Sequence, residues 1–100
     1  MTHKEYNGWT NYETWLVKLW MDNDEGSYDY WRHEAADCVE YDRSVSHLAN
    51  SIKESHESAL PELEGFAADL MNAALSEVNW SEIANSLIED WKAEHKEETT

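Results

Sequence analysis

The spacing of apolar and polar positions along the chain predicts helices throughout. From Gly8 to Trp31 it reads GWTNYETWLVKLWMDNDEGSYDYW. Tyr12, Trp15, Leu16 and Leu19 stand at i, i+3, i+4 and i+7, the repeat of a helix with one apolar face. Thr10-x-x-Glu13 has the form of a capping box, in which hydroxyl and carboxylate each satisfy an orphan N–H. A first helix is therefore expected from about Asn11 to Met21. Asn23-Asp24-Glu25-Gly26 closes it, with Gly26 able to take positive φ. A second helix is expected from near Ser27, with Tyr28, Trp31, Ala35, Cys38 and Val39 on one face. Tyr30 and Tyr41 fall off that stripe and are expected to be half exposed. The seam could run on through Val45, Leu48 and Ile52. Asp42-Arg43-Ser44 is read as a break, because two helices let a small domain fold back on itself.

His56-Glu57-Ser58 closes that segment, and Pro61 cannot sit inside a helix. Leu60, Leu63, Phe66, Leu70 and Leu75 carry an apolar run into a helix over about 62–77, weakened at its start by Gly65. Asn79-x-x-Glu82 reads as a second capping box. Trp80, Ile83, Ala84, Leu87, Ile88 and Trp91 then recur at helical spacing to about Lys92. Trp15, Trp31, Trp80 and Trp91 are expected in the core. Residues 1–8 read as a polar lead-in, with Tyr6 available to cover a Trp, and both 1–8 and 93–100 are expected to fray. The expected fold is all-α: a compact bundle of four to five short helices with no sheet, in one acidic domain over residues 1–100.

Composition adds compartment and charge. A lone Cys38 forms no internal disulfide and fits a reducing compartment. No run approaches the roughly 20 apolar residues of a membrane span, and the start lacks the apolar core of a signal peptide. The expectation is a cytoplasmic protein without membrane contact. Twenty-two acids against seven bases give a net charge of −15, with ten acids in residues 1–50 and twelve in residues 51–100. A folded surface must carry that charge; it would repel nucleic acid and attract basic proteins. Six Trp and 41% hydrophobic residues argue against disorder.

Little of this composition is catalytic. His3, His33, His47, His56, His95 and Cys38 are scattered without ligand spacing, whereas zinc needs three or four converging ligands. Neither a metal nor a cofactor is expected. A nucleophile elbow, a Cys–His signature and a Gly-rich phosphate loop are all missing, so an enzyme is not expected. The acids form the clearer pattern. Asp22, Asp24, Glu25 and Asp29 crowd one turn, and Glu34, Asp37, Glu40 and Asp42 continue along the second helix. At three- to four-residue spacing such carboxylates stand about 5–6 Å apart. A row of that kind would occupy a basic groove made for DNA, although the same row also reads as a solvated face. Trp9, Trp20 and Tyr30 lie off the apolar stripes and are candidates for an exposed aromatic patch at an interface. Trp9 reads equally well as a hydrophobic staple on the first helix.

Asn11-Tyr12-Glu13-Thr14-Trp15, followed by Leu19-Trp20 and Asn23-Asp24-Glu25-Gly26, resembles a family of small uncharacterised proteins encoded by phages, plasmids and some prokaryotic chromosomes. The segment from Ala74 to Ala84, ALSEVNWSEIA, is similar to that family's second shared block. The resemblance brings no activity and no catalytic residues; it implies a mobile-element setting. In that setting the leading expectation is a non-enzymatic, acidic protein-binding module, most concretely a DNA-mimic inhibitor of a host defence (restriction or CRISPR) complex. Its partner would be a basic nucleic-acid-binding host protein, with no direct nucleic-acid binding and a location in the host cytoplasm. The alternative is a phage or plasmid accessory interaction protein without DNA mimicry.

Overall fold

A computed structural model describes residues 6–95. It contains α1 (Tyr12–Asn23), α2 (Glu25–Glu40), α3 (Val45–Ser58), α4 (Gly65–Glu77) and α5 (Trp80–Glu94). The class is all-α, and among the described residues no strand forms beyond one isolated bridge between Tyr6 and Trp9. His3 and the outer parts of the two ends expected to fray lie outside the described residues. α5 packs on α3 and α2, α1 packs chiefly on α2, and α4 packs on α1 alone among the helices. The core is filled by Met21 of α1, Trp31, Ala35 and Cys38 of α2, Leu48, Ala49 and Ile52 of α3, Val78, and Ile83, Ala84, Leu87 and Ile88 of α5.

The chain enters α1 through a turn. Asn7 and Gly8 have φ of 46° and 90°, and Tyr6 and Trp9 exchange backbone hydrogen bonds of 2.9 and 2.7 Å. Two central residues with positive φ make this a type I′ turn, for which Asn-Gly is the preferred pair. The lead-in is thus folded: Tyr6 lies 4.9 Å from the Trp15 ring, and Trp9 packs on the core.

The cap of α1 is Asn11, not Thr10. Asn11 Oδ1 accepts the Thr14 N–H at 2.9 Å, and its Nδ2 donates to the Glu77 carbonyl at 2.7 Å. Both residue types cap helices; Asn has the amide that also ties down the end of α4. Thr10 contributes its backbone N–H, which donates to Glu82 Oε1. Asn79 does cap α5, its Oδ1 accepting the Glu82 N–H.

The face that α1 turns to the core also differs from the expected one. Thr14, Lys18 and Met21 are buried, with Val17 packed beside them, while Trp15, Leu16 and Leu19 are half-buried and Tyr12 is exposed. Thr14 tolerates full burial because its hydroxyl both donates, to Asn11 Oδ1, and accepts, from the Asn79 N–H. Lys18 buries its stem and carries its ammonium to Asp22, 2.7 Å away. Trp15 finds its cover from the Tyr6 and Tyr12 rings instead. Of the other three tryptophans expected in the core, Trp31 is buried, and Trp80 and Trp91 are partly buried against it.

Asp24 alone separates α1 from α2, serving as C-cap of one and N-cap of the other. Gly26 is consequently a first-turn residue of α2 and does not take positive φ as expected. The break between α2 and α3 is present. Asp42 has φ of 55°, and Ser44 caps α3 by accepting the His47 N–H. The His56 ring sits between Trp31 and Trp80, its Nδ1 2.8 Å from the Ile52 carbonyl. The apolar run read as a helix over about 62–77 does form α4, but outside the core. α5 already closes the core over α2 and α3, and α4 buries no residue.

Candidate partner-binding surface

The acidic residues singled out above belong to one corner and one helix. Asp22 ends α1 and is held by Lys18. Asp24 is the joint, and Glu25 opens α2, where a carboxylate is favoured by the helix dipole. Asp24, Glu25, Asp29, Glu40 and Asp42 are exposed; Glu34 and Asp37 are half-buried. Asp37 has the His33 imidazole 3.7 Å away. At about 100° per residue, Asp29 and Glu40 face away from Trp31 and Ala35, Glu25 and Asp37 stand on either side of that outward line, and Glu34 lies on a flank. The outward line of α2 therefore reads Asp29, His33, Ala36, Glu40. Density is greatest at the α1–α2 corner and thins along the helix.

Trp9, Trp20 and Tyr30 are not joined by a ring contact among the described residues. Trp20 is 69% exposed on the last turns of α1, beside the acidic corner. Tyr30 is exposed and sits edge-on against Trp31 at 4.7 Å. Trp9 lines a shallow hollow of about 390 Å³ with Gly8, Glu82, Asn85, Ser86, Glu89 and Asp90. Its acidic neighbours are thus those of α5, not those of α2. Sequence spacing gave no sign of this pairing, because the Asn7-Gly8 turn creates it.

Two basic groups near α2 are engaged within the fold. Arg32, the sole Lys or Arg between Asp22 and Asp42, makes a two-pronged bond to Glu94 of α5, one prong at 2.8 Å, and lies over the Tyr28 ring. The hydrogen bond to Glu94, and then that to Tyr28, raise the Arg32 pKa further above its ordinary value. The same Arg32 hydrogen bond holds the Glu94 carboxyl below the usual range. Arg43 lies over Tyr41. Burial pushes the Cys38 thiol up, which keeps it protonated and unreactive.

Among the described residues no three His, Cys, Asp or Glu side chains converge as metal ligands, and no helix is long and apolar enough to cross a membrane. The two segments that carried the family resemblance, Asn11–Trp15 and Ala74–Ala84, meet in space. Asn11 bonds Glu77, and Thr14 bonds Asn79. Their contacts join the starts of α1 and α5 to the end of α4. No curated protein and no solved structure matches the chain. A family of unknown function (DUF7249) matches residues 2–99, and the chain belongs to that family.

Proposed function

We propose that this protein is a non-enzymatic binding module that presents its acidic α1–α2 corner to a basic partner protein. The carrying observation is the corner itself. Asp22, Asp24, Glu25 and Asp29 stand exposed within eight residues, beside an exposed Trp20, and the bases on either side, Lys18 and Arg32, are occupied by Asp22 and Glu94. Such a surface steers a cationic partner by charge and offers an indole to a guanidinium or ammonium on contact. Most concretely the partner is a nucleic-acid-binding protein of a host defence complex, such as a restriction or CRISPR assembly, with a phage or plasmid as the setting. The carboxylates would then take the Lys and Arg that otherwise hold phosphates. A second reading, an accessory interaction protein without DNA mimicry, is favoured by His33 and Ala36, which interrupt the outward line of acids on α2.

Affinity capture from prokaryotic lysate, at low and high salt, tests the reading. The comparison is between the parent and a variant carrying Asp24→Asn, Glu25→Gln and Asp29→Asn. Asp22 is left intact because Lys18 depends on it. The expected result is a basic partner held by the parent at low salt and lost by the variant, since charge-steered contacts are screened over about 8–10 Å. Equal capture by both proteins at both salts would remove the corner from the account.

A further inference from the structure

α4 packs on α1 with Ala68, Met71, Ala74 and Leu75 half-buried, and leaves another apolar face uncovered. Phe66 is 81% and Leu70 59% exposed, and with Ala73 they follow at i, i+4 and i+7 on one face. In a small acidic domain an apolar helical strip of this kind marks an interaction site. In sequence the charge around the strip is one-sided, and Lys53 of α3, a base that reaches α4, stands with Asn72, Leu75 and Ser76, off the strip. From Glu57 to Trp91 the chain holds eight acids and no Lys, Arg or His. Glu62 and Glu64 precede the strip, Asp69 flanks it, and Glu77 continues its line. A second copy of this chain would bring the same acids against these and be repelled.

We propose that the Phe66–Leu70–Ala73 face of α4 docks an amphipathic helix of a partner protein whose apolar stripe is flanked by Lys and Arg. Phe66 and Leu70 supply the anchors, and Ala73 lets a helix backbone approach closely. The acids around the strip pair with the basic flanks and set the choice of partner. This inference rests on the reading of the chain as a module for a basic partner. It does not rest on the α1–α2 corner as the place of contact.

The test uses the full chain and a synthetic peptide of Leu and Lys at helical spacing, with a scrambled peptide of the same composition as control. The peptide should bind the parent and the scrambled control should bind more weakly. Phe66→Ser with Leu70→Ser should weaken peptide binding about tenfold or more, with helicity and melting unchanged because neither side chain is buried. Leu70→Lys, a second variant, should weaken it as well. Neutralising Asp24, Glu25 and Asp29 should leave peptide binding within about twofold. Undiminished binding by the α4 variants would overturn the proposal, and so would equal binding of the scrambled peptide. If only the corner variant loses the peptide, the basic-partner reading stands and the α4 site falls. If the parent binds neither peptide, both fall. Self-association of the parent that the α4 variants abolish would assign the face to a second copy, and parent binding to phosphatidylcholine vesicles would assign it to lipid; either result overturns the proposal.

Discussion

The buried hydroxyl of Thr14 donates to Asn11 Oδ1 at 2.6 Å and accepts the Asn79 N–H at 2.9 Å. One side chain thereby joins the cap of α1 to the cap of α5, across 65 residues of sequence. Thr14→Val keeps the shape and removes both bonds, leaving the Asn79 N–H without its partner. A loss of about 1–3 kcal/mol is expected, with Thr14→Ser retaining most of the stability. Urea unfolding followed by Trp fluorescence reads this out. A Val variant as stable as the parent would show that the junction contributes nothing.

Helical periodicity in the sequence is enough to find the helical segments; the α2–α3 break, which that periodicity runs across, follows from the need of a small domain to fold back, and the Asn79 cap from its motif. Periodicity does not decide which side of α1 faces the core. That helix is apolar on two sides, and hydropathy counts Thr14 and Lys18 as outward-facing. Burial of Thr14 depends on the Asn79 N–H, a partner that only the folded chain supplies, and that of Lys18 on Asp22 one turn on, a pair that sequence spacing allows but does not turn inward. Thr10 and Asn11 are adjacent cap formers, and the choice between them rests on the Glu77 carbonyl, far away in sequence. At the candidate surface, the acids were legible as a cluster because charge is local. The meeting of Trp9 with Glu82, Glu89 and Asp90 was not, although the Asn7-Gly8 pair signalled the turn that produces it.

The two tryptophans Trp31 and Trp20 test the assignment of faces. Trp31 is 4% exposed in the core and Trp20 is largely in solvent. Trp31→Ala should cost about 3–5 kcal/mol, whereas Trp20→Ala should change stability by no more than about 0.5 kcal/mol. Thermal melts by circular dichroism compare them. Similar losses for the two would mean that the core is misplaced.

Two glycines should respond with opposite signs. Gly26 is helical, and a Cβ built on it meets nothing closer than Asp24 Oδ1 at 4.0 Å. Gly26→Ala should stabilise by about 0.4–1 kcal/mol. Gly65 opens α4 with φ of 61°, where an L side chain costs about 1–2 kcal/mol. Gly65→Ala should destabilise accordingly. Denaturant midpoints of both variants check the pair, and stabilisation by both would contradict the assigned backbone at α4.

The Arg32–Glu94 bond predicts a pH dependence. Arg32 lowers the Glu94 carboxyl below its ordinary value in the folded chain. A depressed carboxyl contributes stability that is present above its unfolded value, about 4.3. The contribution fades as pH falls through the lower folded value. Glu94→Gln should therefore be less stable than the parent at neutral pH and converge with it in strong acid. The stability of both proteins as a function of pH measures the difference, and a gap that widens on acidification would contradict the sign.

Competition against duplex DNA tests the central claim most directly. The partner captured from lysate is immobilised, the parent protein is bound, and unlabelled duplex DNA is titrated in at fixed ionic strength. DNA mimicry through the Asp22–Asp29 corner predicts full displacement by DNA. It also predicts weaker, less salt-dependent binding of the variant with Asp24, Glu25 and Asp29 neutralised. A partner that holds DNA and this protein together, or binds the neutralised variant as tightly as the parent at every salt concentration, would contradict it.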